Sequence, residues 1–192
     1  MPRFRTAAVA AVATSLLLIP TAAYAHPDGQ HSTTDEPTTS RNQLLAYEKS
    51  SGPLRDLQVD VTSALDGAAA SATMVSLGST YFYLRVHDVN TAAAGQRFGA
   101  HLHTGPCVAG DATAAGPHYN VQLLAGITTP EINDKTEVWL DFEVNAEGQG
   151  RSTTTVPFVP TAGTRSIVIH AQPTMDNGFA GARIACLPFT IK

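Results

Sequence analysis

Cysteine, tryptophan and clusters of basic residues are scarce in this chain. Cys107 and Cys186 are the only cysteines, and Trp139 is the only tryptophan. Acidic residues outnumber basic ones by 16 to 12, and the lysines and arginines form no run. That balance argues against nucleic acid as a partner. No long apolar stretch follows residue 25, so the remainder is expected to lack a membrane span and to be soluble.

The first 25 residues have the features of a secretory leader. Arg3 and Arg5 precede an apolar segment that runs through Ile19, and Ala23-Tyr-Ala25 provides an A-x-A cleavage site. The apolar segment is too short to span a membrane, and no cysteine near the cut offers a site for lipid attachment. We predict a signal peptide over residues 1–25 and a secreted or cell-envelope location. About 167 residues then remain, enough for one domain.

Residues 26–56 are predicted to be a mobile linker. They are rich in Thr, Ser, Asp and Pro and contain few large apolar side chains. Cleavage after Ala25 would leave His26 as the first residue, with His31 close by. An N-terminal histidine can bind copper through its amine and its ring, so copper capture by this tail is one interpretation. A solvated tail without a role is the other.

From residue 57 onward, short segments with alternating polarity are separated by turn residues. No segment has a helical period, so residues 57–192 are predicted to form one antiparallel β-sandwich or β-barrel. In the segment 136–144, Glu137, Trp139 and Asp141 share one face of the predicted strand. The opposite, largely aliphatic face is favoured as the one that packs in the core. The predicted strands are residues 57–62, 72–77, 80–89, 136–144, 152–158, 165–170 and 182–191.

The two cysteines predict a disulfide. An even pair in an oxidising compartment is typical of a bridge. A Cys107–Cys186 bond would close a loop of about 79 residues and stabilise the fold by roughly 4 kcal/mol in the chain-entropy model. Two free thiols are the alternative.

The histidines form the most informative pattern. His101 and His103 lie two residues apart in an apolar run, so on a strand both rings project from the same face. His118 follows in a Gly-Pro-His turn, and His170 ends the run Ser-Ile-Val-Ile-His. Four neutral imidazoles without a thiolate or carboxylate suit copper or zinc, although an HxH pair alone is also common on surfaces. His87 has no partner at metal spacing and is predicted to be an ordinary exposed strand histidine.

Four segments around these residues resemble the signature segments of the copper,zinc superoxide dismutase family. They are GAHLH at 99–103, GPHYN at 116–120, IVIH at 167–170 and GARIAC at 181–186, in the family's order. The resemblance runs from about Leu57 to the C-terminus. It implies an eight-stranded antiparallel Greek-key β-barrel with superoxide as the substrate. It also implies one copper ion bound by His101, His103, His118 and His170, with Arg183 as the arginine that guides the anion.

The chain departs from the family at the zinc site. In the family, the counterpart of His118 bridges copper to a zinc held by two more histidines and an aspartate. Here no histidine lies between His118 and His170, and the loop from His170 to Arg183 is shorter than in zinc-containing members. We therefore expect a copper-only member without zinc. At the free ring nitrogen of His118 we expect a carboxylate, and the candidates are Glu137, Asp141 and Asp176. A bound water is the alternative.

The resemblance implies superoxide dismutation, in which copper exchanges single electrons and His118, a carboxylate or a water passes a proton. A secreted copper buffer or carrier with the same ligands and no turnover is a second interpretation. Retention of Arg183 argues against it, since a store needs no anion guide. A structural β-domain that has lost its metal is a third, and four intact ligand positions argue against that. The sequence does not determine the oligomeric state, although a monomer is slightly favoured.

Overall fold

The computed structural model describes residues 46–192, which form a nearly all-β fold of antiparallel strands. The all-β antiparallel class is therefore confirmed. No helix within the described range is long and apolar enough to cross a membrane. The strands are β1 (Ala46–Pro53), β2 (Arg55–Asp56), β3 (Ala69–Leu77), β4 (Ser79–His87), β5 (Arg97–His103), β6 (Phe142–Glu143), β7 (Gly150–Val156), β8 (Gly163–His170) and β9 (Arg183–Ile191). The short helices are a 3-10 turn at Thr91–Ala93 and α1 at Val121–Leu124.

The strands form two antiparallel sheets. The first has the order β1-β3-β4-β7 and the second has the order β2-β9-β8-β5-β6. Seven strands are long, whereas β2 and β6 contain two residues each. These short pieces extend the second sheet at both edges, which is why the described strands number nine.

The β-domain begins earlier than the composition suggested. Residues 46–56, which the sequence analysis placed in the linker, form β1 and β2. Strand β1 pairs with β3 along its whole length, from Ala46 opposite Ser76 to Pro53 opposite Ala69. Main-chain hydrogen bonds stabilise such an edge strand even though its side chains are small or polar. The predicted leader and the rest of the linker, with His26 and His31, lie outside the described residues.

The strand predicted at residues 57–62 is wrong. This segment forms turns, and Val59 and Val61 are 66% and 56% exposed. The Asp56 side chain accepts a hydrogen bond from Gln58 N at 2.7 Å, and Val61 N donates to Gln58 O. Such local bonds give the backbone partners other than a neighbouring strand, so alternating polarity alone does not produce a strand.

The central strands of the second sheet are buried on both faces. On the inner face, residues such as Leu102 and Ile167 pack in the main core against the first sheet. On the outer face, Val168 belongs to a second buried cluster with Leu57, Cys107, Ala115 and Cys186. Loops must therefore cover that outer face, and the histidines lie beneath them.

Two further predictions agree with the structure. Cys107 and Cys186 form a disulfide, with their Cα atoms 5.7 Å apart. In the segment 136–144, the apolar side chains of Val138, Leu140 and Phe142 are buried in the core, on the face that was favoured. Only Phe142–Glu143 forms a regular ladder, whereas Trp139 contacts β5 through an isolated bridge to His101. This irregular stretch therefore runs beside the histidines instead of continuing the sheet.

Candidate metal centre

Four histidines converge on the loop-covered face of the second sheet. His101 and His103 leave β5 on one side, and Gly99, two residues earlier, pairs with His170 of β8, so His170 shares that side. His118 lies opposite His103 in an isolated bridge. One ring nitrogen from each histidine lies within 4.8 Å of the others. The sheet register thus collects residues from three separate segments at one point. His87 lies elsewhere, with 39% of its side chain exposed and a contact to Asp88.

Hydrogen bonds assign the tautomers of two rings. His103 Nδ1 lies 3.0 Å from Gly116 O, and His170 Nδ1 lies 3.2 Å from Gly181 O. A carbonyl oxygen only accepts hydrogen bonds, so both Nδ1 atoms carry the hydrogen and both Nε2 atoms carry a lone pair. These two Nε2 atoms lie 3.3 Å apart. The loops that cover the sheet therefore direct two lone pairs at the same point.

His118 has the same orientation, and a carboxylate provides its partner. His118 Nδ1 donates to Glu137 Oε2 at 2.9 Å, which leaves Nε2 directed towards the cluster. The same carboxylate accepts from Trp139 Nε1 at 2.9 Å and from Asn120 Nδ2 at 3.2 Å. Burial raises the pKa of Glu137, but the hydrogen bonds from His118, Trp139 and Asn120 outweigh burial, and the pKa lies below its ordinary value. Glu137 is therefore an ionised anchor for the ring.

His101 has the opposite orientation. Its Nε2 lies 2.7 Å from Thr174 Oγ1, whereas its Nδ1 is buried and has no hydrogen-bond partner within residues 46–192. A buried polar nitrogen without a partner costs about 1–3 kcal/mol, so this atom needs a ligand. The donor set is therefore Nδ1 of His101 and Nε2 of the other three histidines.

This donor set fits a bound metal ion. Burial and neighbouring charges lower the pKa of His103 to about 2, that of His170 to about 4, and that of His101 further still. These three rings are consequently neutral at pH 7 and cannot relieve the clustered lone pairs by binding protons. Four imidazole rings around one point are a donor set for copper or zinc.

The three carboxylates proposed as partners of His118 are in different environments. Glu137 contacts His118 directly. Asp141 Oδ1 lies 4.0 Å from His101 Nε2, which is too long for a direct hydrogen bond. Asp176 is exposed in the loop between β8 and β9. Sequence reasoning missed Thr174 and Asn120, because an isolated threonine or asparagine in a loop carries no metal-binding signal.

Arg183 begins β9 directly opposite His170 in the sheet register. Its guanidinium donates to Ala112 O at 2.8 Å and lies close enough to lower the pKa values of His103 and His170. A depression of about 640 Å³ lies beside it. The depression is lined by Ala112, Thr113, Gly116, Pro117, Gly181, Ala182 and Arg183. Arg183 therefore places a positive charge in the wall of a surface depression formed by the loops that orient His103 and His170.

The buried rings predict how the stability of the metal-free protein depends on pH. His170 has a folded pKa of about 4, below its ordinary value of 6.5, so the unfolded chain binds a proton there that the folded chain does not. The free energy of unfolding is therefore expected to fall as the pH falls from about 6.5 towards 4. Urea unfolding of the metal-free protein at several pH values measures this. A stability that stays constant between pH 7 and 5 would contradict it.

The structure thus defines an all-β protein of antiparallel strands with a group of four histidines that could hold a metal ion. The family profile of copper/zinc superoxide dismutase (SODC) matches residues 69–187, and the chain belongs to that family. Among curated proteins, no sequence match reaches significance. A similar solved structure is the clock protein EA4, with a TM-score of 0.54 and 14% identity over 77% of this chain and 96% of that one. At that identity the likeness concerns the fold alone.

Proposed function

We propose that this protein is a secreted, copper-dependent superoxide dismutase without a zinc site. One observation carries the proposal: four imidazole lone pairs converge beside the guanidinium of Arg183. Membership of the copper/zinc superoxide dismutase family supports a redox role for that centre. The disulfide supports a location in an oxidising compartment.

The environment of His118 supports a single metal. A zinc ion bridged to copper through the His118 ring would need the Nδ1 atom of that ring as a ligand. That atom instead donates its hydrogen to Glu137. The sequence offers no histidine between His118 and His170 to complete such a site. We infer that Glu137 takes the place of a second cation by holding the ring with a charge-assisted hydrogen bond.

The path of the substrate follows from charge and exposure. The chain has a formal charge of −4, so it repels an anion at long range. A positive side chain in the wall of a depression offsets this locally, because field lines concentrate in clefts with low-dielectric walls. We assign Arg183 to binding and orienting superoxide. The guanidinium is held in place by Ala112 O, so little side-chain freedom is lost when an anion binds.

The four rings differ in their access to water. The His118 side chain is 18% exposed, whereas His101 and His103 are fully buried and His170 is 4% exposed. We place proton exchange with solvent at the edge of the site formed by His118, whose Nδ1 hydrogen is held by Glu137. Copper, when bound, supplies the one-electron chemistry that oxidises one superoxide to oxygen and reduces the next to hydrogen peroxide.

Copper reconstitution tests the proposal. The metal-free protein is loaded anaerobically with one equivalent of copper, and its metal content, its electron paramagnetic resonance spectrum and its superoxide turnover by pulse radiolysis are measured. We expect one copper per chain, a nitrogen-rich Cu(II) signal and rapid turnover without added zinc. A nitrogen-rich signal without turnover would instead identify a copper buffer or carrier. Failure to bind copper would contradict both functions.

Arg183→Gln is expected to lower turnover while leaving copper binding intact. The substitution removes the positive charge beside the centre but none of the four rings. We expect kcat/KM for superoxide to fall by roughly tenfold or more at low salt, and the difference from the wild type to shrink as salt rises. Arg151→Gln is the matched control, because Arg151 is exposed on β7 of the other sheet. Equal losses of kcat/KM in the two variants would mean that turnover depends on the net charge of the protein and not on the position of Arg183.

A further inference from the structure

Thr174 forms a link between the buried His101 ring and a carboxylate. Its Oγ1 lies 2.7 Å from His101 Nε2 and 2.5 Å from Asp141 Oδ1. The backbone N of Thr174 also donates to Asp141 Oδ2 at 2.7 Å. Asp141 thus accepts from both the side chain and the main chain of one loop residue, and that residue contacts the histidine.

The chemistry of these groups determines the direction of each hydrogen bond. A carboxylate only accepts, so the Thr174 hydroxyl donates its hydrogen to Asp141. The hydroxyl oxygen must then accept from His101, and His101 carries its hydrogen on Nε2. The lone pair is left on Nδ1, which is the buried atom without a hydrogen-bond partner in the described chain.

The fold positions Thr174 with little tolerance. Gln172 N donates to Ala180 O and Gln172 O accepts from Gly99 N, so the loop after β8 folds back onto β5. A Cβ atom at Gly99 would lie 2.7 Å from Gln172 O and 3.0 Å from Thr174 Oγ1. Glycine at position 99 therefore permits the close approach that brings the threonine hydroxyl to the ring.

We propose that Thr174 is a positioning residue for the metal centre. Its hydroxyl, held by Asp141, keeps His101 in the Nε2–H tautomer and thereby presents Nδ1 to the ion. The consequence for metal binding rests on the proposed function, whereas the tautomer does not. The loop between β8 and β9 consequently contributes to the centre through His101, although none of its residues belongs to the four-imidazole donor set.

Thr174→Val tests the proposal, because valine keeps the branched shape and removes the hydroxyl. Nitrogen-15 NMR of the metal-free protein gives the His101 tautomer, and competition with a chelator gives the copper affinity. We expect the variant to lose the pure Nε2–H form and to bind copper roughly 10- to 100-fold more weakly. Thr174→Ser, which restores a hydroxyl, is expected to recover both properties. Thr153→Val, at an exposed position on β7, is the control for a threonine-to-valine change as such.

The outcomes separate the two claims. A Thr174→Val protein with the wild-type tautomer or the wild-type copper affinity would overturn the positioning role. The positioning role would also be overturned if Thr174→Ser were as impaired as Thr174→Val in its His101 tautomer and its copper affinity. If the wild type binds copper without superoxide turnover, while Thr174→Val shifts the tautomer and weakens copper binding, the positioning role holds and the dismutase function fails. Circular dichroism and an intact disulfide confirm that each variant is folded.

Discussion

His103→Ala is expected to abolish stable copper binding and, with it, superoxide turnover. His103 is fully buried, and its Nε2 lies 3.3 Å from that of His170, so the substitution removes one of the four proposed donors. The loss in copper affinity should exceed the roughly 10- to 100-fold that a hydrogen-bonding partner of a ligand contributes. Equilibrium competition with a copper chelator measures the affinity, and pulse radiolysis measures turnover.

Copper also provides a stability readout for this variant. At a free copper concentration of 100 times Kd, a ligand that binds only the folded state stabilises it by about 2.7 kcal/mol. We expect copper to raise the Tm of the wild type and to leave that of His103→Ala nearly unchanged. His87→Ala is the matched control, since His87 lies outside the cluster and should respond as the wild type does. A His103→Ala protein with wild-type copper affinity would exclude this ring from the site.

Replacing both cysteines by serine is expected to lower the free energy of unfolding by roughly 4 kcal/mol. The bond spans a sequence separation of 79 residues, so the unfolded chain gains much conformational freedom without it. For a domain of this size the fall in Tm would be roughly 8–16 °C. Urea unfolding of the Cys107→Ser/Cys186→Ser double variant, compared with the wild type, measures the difference.

The same variant is also expected to bind copper more weakly than the wild type. Cys107 connects β9 to the loop that carries Gly116 O, the partner of His103, and Ala112 O, the partner of Arg183. Chemical reduction of the wild-type protein provides the control, because it breaks the bond without adding hydroxyl groups. A loss below about 1 kcal/mol with unchanged copper affinity would show that packing alone holds this loop.

Much of the fold could be predicted because strand signals in this chain are local. Alternation in residues 72–77 and 80–89 corresponds to β3 and β4, with Gly78 at the turn between them. Two of the errors, at residues 57–62 and at β1, have one cause. Residues 57–62 alternate in polarity but have turn partners, whereas β1 has weak alternation and a strand partner in β3. In both segments, pairing with a distant part of the chain determined whether a strand formed, and local alternation of polarity does not predict such pairing.

The sequence predicts the histidines of the candidate site better than it predicts the residues that hydrogen-bond to them. The four histidines carry a spacing signal, and Glu137 was one of three carboxylates proposed at His118. The choice among those three depends on loop geometry, which directs Glu137 to His118 and brings Asp141 to Thr174. Threonine and asparagine form hydrogen bonds in every kind of loop, so Thr174 and Asn120 had no distinguishing sequence signal.

The sequence by itself determined the donor types, their grouping and the family, because residue identity and short spacing are written directly in the chain. It also shows that no histidine lies between His118 and His170. Only the tertiary structure decided which nitrogen of each ring faces the centre, since that choice depends on acceptors up to 73 residues away in the chain. The position of a hydrogen on an imidazole follows from the groups packed against it, and packing exists only in the folded protein.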